Sequence, residues 1–174
     1  MPIASLSPEI AKRTITLMSA SKAYNIAGLK TAYAIVQDPT TRERFNAARG
    51  GMVDSVNALG LEATLTAYRE CGPWLKALVD YLQGNRDYLQ QAVQTRLPGV
   101  IMHPAQATYL AWLDCSALGL EDPYQFFLDQ AKVGLSAGVE FADNARQFVR
   151  LNFGCPRALL EEGISRMENS LRQR

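Results

Sequence analysis

Residues 19–30 read SASKAYNIAGLK, and the setting of Lys22 within them decides how the rest of the chain is read. The segment follows RTITLMSA (13–20) and precedes TAYAIV (31–36). Both runs are β-branched and apolar, and both fit short strands buried on at least one face. Lys22 therefore stands among hydroxyls at the end of a strand that should be running into a core. An ordinary lysine there carries its ammonium out to water. A lysine withdrawn from water is more readily neutral, and the neutral amine is the form that attacks an aldehyde carbon. Position alone leaves both readings open.

Working outward, Ser7 and Pro8 open a short helical turn as N-cap and first helical residue. From about Thr40 to Leu97 the pattern is helical, broken at Gly50-Gly51, at Gly60 and at CGPW (71–74). Leu75, Leu78, Val79, Leu82, Leu89 and Val93 recur at helical spacing, which predicts an amphipathic helix over 73–97 of roughly 36 Å. Beyond LPG (97–99), the runs VIMHP, ATYLAWLD and ARQFVRLNFG read as strands. DPYQFFLDQAKV (122–133) reads as a helix capped by Asp122 with Pro123 in its first position, and PRALLEEGISRMENSLRQR (156–174) as a C-terminal helix. The chain is thus α/β, divided near Gly72 into a strand-plus-helix piece and a more self-contained α+β piece.

Composition narrows the function classes. The 174 residues are 48% apolar and 20% charged, as in a globular protein with a sizeable core. Their net charge is +1 with no basic block, which gives no support to a nucleic-acid or membrane-surface role. Cys71, Cys115 and Cys155 are odd in number and far apart, which fits neither a disulfide framework nor metal-ligand spacing and suggests a reducing, cytoplasmic setting. His103 is the one histidine, so a multi-histidine metal site and most histidine-assisted nucleophiles lack their material, and no metal is expected. No apolar run approaches the roughly 20 residues that span a bilayer, and the first residues lack a basic-then-apolar secretion signal.

Two segments carry a family resemblance. SASKAYNIAGLKTAYAI (19–35) resembles the lysine motif of fold-type I pyridoxal-phosphate enzymes, and FVRLNFGCPRALLEEGISRM (148–167) resembles the arginine segment of the same group. The branch they are most similar to is the cystathionine β-lyase-like (C–S lyase) group of the class I/II aminotransferases. RERF (42–45), the 73–97 helix and ATYLAWLD add to the likeness. It implies the C-terminal portion of the pyridoxal-phosphate-dependent transferase-like fold. Residues 1–72 would be the end of the large cofactor-binding domain, 73–97 the connecting helix and 98–174 the small α+β domain.

The resemblance also implies roles. Lys22 would form the internal aldimine with pyridoxal 5′-phosphate and then shuttle the substrate's α-proton. Ser19, and more weakly Ser21, would bond the cofactor phosphate. Lys30 stands where many aminotransferases place an arginine on that phosphate, keeping the charge without the bidentate fork. Arg150 would clamp the α-carboxylate of an amino-acid substrate, a task suited to a planar guanidinium. Read by themselves, Arg150, Asn152 and Arg157 are equally explained as structural, with Asn152 fixing a turn and Arg157 opening the last helix. Cys155, Tyr109 and Trp112 read as packing residues.

An enzyme of this kind also needs an acidic partner for the pyridinium nitrogen and an aromatic cover for the ring. In the resembled family both come from sequence upstream of the lysine, and here only Glu9 is acidic among the 21 residues before Lys22. The expectation is therefore an incomplete chain, lacking the N-terminal half of a C–S β-lyase or aminotransferase and working as a homodimer. The alternative is a catalytically silent structural or interaction fragment of that fold.

Overall fold

The computed structural model describes residues 2–52 and 55–174 and divides into two compact units, residues 1–77 and 78–174. The division falls inside the long helix Gly72–Arg96.

In the first unit, α1 (Pro8–Lys12) begins where Ser7 Oγ accepts from the Ile10 amide at 3.3 Å. Strand β1 (Ile15–Met18) then pairs antiparallel with β2 (Tyr33–Val36), in a register that sets Ile15 against Val36 and Met18 against Tyr33. The expectation that these strands are buried on one face is corrected here. Leu17 is 71% exposed, Ile15, Met18, Tyr33 and Ile35 are also exposed, and Val36 alone of the two strands is buried. The ribbon is two strands wide, with α2 (Pro39–Arg49) packed at its Val36 end, so most of its apolar side chains meet no second layer within the unit. Helix α2 is capped by Asp38, whose carboxylate accepts from the Thr41 amide at 2.7 Å, and it ends at Gly50 in the left-handed region. Helix α3 (Ala58–Glu70) follows, with Asn57 as its N-cap. Gly60, expected as a helix break, instead lies in the first turn of α3.

Helix α4 is the Gly72–Arg96 segment, and its residues from Leu78 onward belong to the second unit. That unit is built on an antiparallel sheet of order β3-β4-β6-β5, comprising Ile101–Met102, Leu110–Asp114, Phe148–Asn152 and Ser136–Ala137 respectively. Alternation along β4 and β6 turns Ala111, Leu113, Val149 and Leu151 inward. There they meet Leu89, Val93 and Leu97 of α4 and Leu160, Ile164 and Met167 of α6 (Arg157–Arg172). The segment expected as one helix over 122–133 is α-helical only as α5 (Pro123–Phe126), capped by Asp122. It continues as a π-helical turn over Phe127–Ala131, in which Phe127 is fully buried, and stops at Lys132 with φ +55°.

One buried polar side chain organises the corner between β6 and α6. Asn85 of α4 is fully buried; its Nδ2 donates to the carbonyls of Phe153 (3.0 Å) and Cys155 (2.8 Å), and its Oδ1 accepts from Arg157 Nε (2.9 Å). All its capacity except one lone pair is thereby used, as a buried amide requires. Arg157 also lies 4.7 Å over the Tyr88 ring, and Asn152 Oδ1 accepts from the Gly154 amide at 2.8 Å, closing the turn after β6. Among the described residues no helix is long and apolar enough to cross a membrane, and no cluster of three or more potential ligands could hold a metal ion.

Candidate active site

Between β1 and β2 the chain makes a tight turn over residues 21–25 and a single 3-10 turn over Ala27–Leu29. Backbone bonds from Tyr24 to Ala20, Ile26 to Ser21, Leu29 to Ile26 and Lys30 to Ala27 give the loop internal order. Asn25 (φ +56°) and Lys30 (φ +49°) both adopt the left-handed conformation, which costs a residue with a Cβ about 1 kcal/mol or more. A loop this constrained is held in one shape by its surroundings.

The structure brings Ser19 and Ser21 together. Their hydroxyl oxygens lie 2.6 Å apart, Ser19 Oγ accepts from the Ser21 amide at 3.0 Å, and Ser19 Oγ donates to the Thr31 carbonyl at 2.7 Å. A hydroxyl has one proton, so with Ser19 donating to Thr31 the short contact is made by Ser21 donating to Ser19, and with Ser19 donating to Ser21 the proton of Ser21 goes to the Thr31 carbonyl at 3.5 Å. Ser21 can turn that proton toward an incoming oxygen anion without leaving Ser19 unsatisfied. Lys22 follows directly, in the turn beyond β1 and not within the strand; it is exposed and makes no hydrogen bond or ion pair among the described residues. Of the two readings that its position left open, the structure shows the lysine carried out to water, since nothing in the unit covers it. Lys30 lies at the far end of the same loop, exposed.

Next to the loop stands an aromatic cluster. Tyr24 stacks on Trp74 (ring centroids 6.3 Å apart) and meets Tyr68 edge-on at 5.6 Å, while the Tyr33 hydroxyl donates to that of Tyr68 at 3.0 Å. That hydrogen bond, with partial burial, pushes the Tyr68 phenol up to about 12. Tyr24, Ile26 and Leu29 of the loop line an open cleft of about 590 Å³ with Leu59 and Ala63 of α3 and Trp74.

Arg150 belongs to the second unit, in the middle of β6. It pairs across the sheet with Trp112 on one side and Ser136 on the other. Its Nη2 donates to Ser136 Oγ at 3.1 Å, and its guanidinium carbon sits 4.3 Å from the centre of the Phe141 ring. Phe141 is held edge-on by Trp112, which stacks on Phe148. The guanidinium is thus set over an aromatic face, with one donor bonded to Ser136 and its remaining donors available to a planar anion. A separate cleft of about 310 Å³, lined by Leu151, Asn152, Cys155 and Gly163 among others, does not include Arg150.

A profile of the family described as aminotransferase class I and II matches residues 2–167. The chain belongs to this family. Over 174 residues this aminotransferase-family chain is 38% identical to cystathionine beta-lyase PatB of Bacillus subtilis (strain 168), covering 98% of this chain and 45% of that protein. Among solved structures it is similar to that of OvoB, with a TM-score of 0.93 and 50% identity over 98% of this chain and 44% of the other. It is also similar to cystalysin from Treponema denticola, whose structure contains a pyridoxal 5′-phosphate cofactor, with a TM-score of 0.91 and 27% identity over 97% and 44% of the two chains. The mixed helix and sheet architecture is therefore that of the pyridoxal-phosphate-dependent transferase-like fold. The chain spans less than half the length of each of these relatives.

Three residues not singled out in the sequence, Ser136, Phe141 and Asn57, shape these two places together with Gly60. Ser136 and Phe141 orient Arg150, and Phe141 alone had a faint signal, as an aromatic among polar residues in VEFADN (139–144). Asn57 and Gly60 meet the Lys22 loop from the start of α3; Gly60 was read only as a break, and its Asn-x-x-Gly spacing from Asn57 was the signal.

Proposed function

We propose that this chain is the lysine-bearing and carboxylate-binding part of a pyridoxal-phosphate-dependent enzyme acting on amino acids, with C–S β-lysis as its reaction and amino transfer as the alternative on the same residues. One observation carries the reading: in a chain of this family, Lys22 is presented in a constrained loop directly beside two hydroxyls 2.6 Å apart. The donor set fits a phosphate ester, since Ser21 can redirect its one proton from its partners within the loop to an incoming oxygen anion, Ser19 holds the Ser21 hydroxyl in place, and Lys30 supplies positive charge from the same loop. When bound, pyridoxal 5′-phosphate supplies an aldehyde that takes up an amine and a ring that draws electrons from the α-carbon of an amino acid. Ser19, Ser21 and Lys30 would hold its phosphate. Lys22 Nζ, once displaced by the substrate's own amine, would accept the α-proton and later return it. Arg150 would receive the α-carboxylate in its open donors, steadied by Phe141 and Ser136.

The relatives named cystathionine beta-lyase favour the lyase reading, in which a thiolate leaves the β-carbon. Incubation with cystathionine and the cofactor should then release pyruvate, ammonia and homocysteine, and Lys22→Ala should abolish the release. Amino transfer to a keto acid without thiol release would overturn lysis. The competing reading, a fragment with the fold but no catalysis, is favoured by the share of the relatives' length that the chain spans. Neither product, from a chain that also leaves the cofactor's visible spectrum unchanged, would establish it. The surface of the β1–β2 ribbon supports a second copy as partner, and three unpaired cysteines support a reducing cytoplasmic setting.

A further inference from the structure

The Lys22 loop is gripped from outside by the first turn of α3. Asn57 uses both ends of its amide: Oδ1 accepts from the Gly60 amide at 2.7 Å, capping the helix, and Nδ2 donates to the Leu29 carbonyl at 2.8 Å. The same carbonyl accepts from Thr31 Oγ1 at 3.1 Å. Gly60 lets this happen, because a Cβ there would lie 2.0 Å from Thr31 Oγ1 and 2.9 Å from the Leu29 oxygen. Thr31 is buried by this approach, at 6% exposure, and its own carbonyl is the acceptor for Ser19. An unbroken line of contacts thus runs from the α3 cap through Leu29 and Thr31 to the two serine hydroxyls. Lys30 lies between the two gripped residues, and its left-handed backbone is what such a grip would stabilise.

We propose that Asn57, with Gly60 making room for it, is a positioning residue for the phosphate end of the cofactor site. It touches neither cofactor nor substrate and acts by fixing Leu29 and Thr31, hence the direction of the Ser19 and Ser21 hydroxyls and the placement of Lys30. The proposal rests on the reading of Lys22 and its loop given above.

Asn57→Ser separates this role from simple helix capping, because serine is an equally good N-cap but is too short to keep the bond to Leu29. Two aldehydes that differ only in the phosphate, pyridoxal 5′-phosphate and pyridoxal, are titrated against the 174-residue chain, with borohydride trapping on Lys22 as the signal. Hydrogen exchange of the 19–31 peptide is followed in parallel on the chain alone. The expected result is about fivefold weaker retention of the phosphorylated aldehyde, the equivalent of one net hydrogen bond, with pyridoxal unchanged within about twofold. Exchange in 19–31 should quicken by a similar factor while the melting temperature holds. Gly60→Ala should shift both measurements in the same direction and further. Equal loss of both aldehydes, or unaltered exchange in 19–31, overturns the proposal. If the unsubstituted chain traps neither aldehyde on Lys22, the reading of the lysine fails and the cofactor role of Asn57 falls with it, whereas the exchange data still show whether the grip exists.

Discussion

Asn85 offers the most demanding test of how the second unit is held together. Replacing it with alanine orphans the Phe153 carbonyl, beside a residue 1% exposed, and the Cys155 carbonyl, which is partly buried. It also frees Arg157 Nε, which can turn to water while keeping its place over Tyr88. A buried acceptor left unpaired costs about 1–3 kcal/mol. With the Phe153 oxygen near the middle of that range, the Cys155 oxygen near its low end and a small cavity added, the loss comes to about 3 kcal/mol. At a urea slope of about 2 kcal/mol per M, the unfolding midpoint should fall by about 1.5 M. Asn85→Leu decides the cause. Leucine restores the volume but offers no donor, so it should still lose about 2 kcal/mol or more. The assay is urea unfolding monitored by circular dichroism. Either variant within about 0.5 kcal/mol of the parent, or full recovery by leucine, would refute the reasoning.

Gly138→Ala should be among the most damaging single changes, by on the order of 3 kcal/mol, because its Cβ would lie 2.1 Å from the Ala145 carbonyl oxygen and 2.6 Å from that of Phe148, both backbone atoms; thermal melts of purified protein check this. Asp38 is held below the usual carboxylate range, first by the Thr41 amide. Its contribution to the α2 cap should therefore be complete above the unfolded carboxylate value of about 4 and vanish as pH falls through the lower folded value, a course that NMR titration of the carboxyl would follow and Asp38→Asn would remove. Burial pushes the Cys115 thiol up to about 12, so under mildly alkaline native conditions iodoacetamide should modify Cys71 well before Cys115. Equal rates for the two would contradict the full burial of Cys115 just beyond β4.

Lys22 and Arg150 were picked out in the sequence through the likeness of segments 19–35 and 148–167 to two family motifs, since read by themselves both positions left a structural reading open. Their surroundings were less so. The runs ITLM and YAIV show which side chains would gain from burial, but cannot show that a two-stranded ribbon leaves most of them uncovered. Asn85 was readable in principle, since it falls with Leu82, Leu89 and Val93 on the apolar stripe of α4, where a polar residue must find partners. Gly60 was noticed as a breaker because local propensity says so, while its actual role depends on Thr31 approaching from another element. The π-helical turn after Phe126 has no local signature, and it accompanies the full burial of Phe127 in the core.

Of the five lysines of the chain, Lys22 is the one proposed to take up an aldehyde. The measurement that tests it most directly is borohydride trapping with pyridoxal 5′-phosphate at less than one equivalent, followed by peptide mapping of Lys12, Lys22, Lys30, Lys76 and Lys132. The pyridoxyl group should be found on Lys22, and Ser19→Ala should lower its yield. A label spread over the five in proportion to their exposure would contradict it.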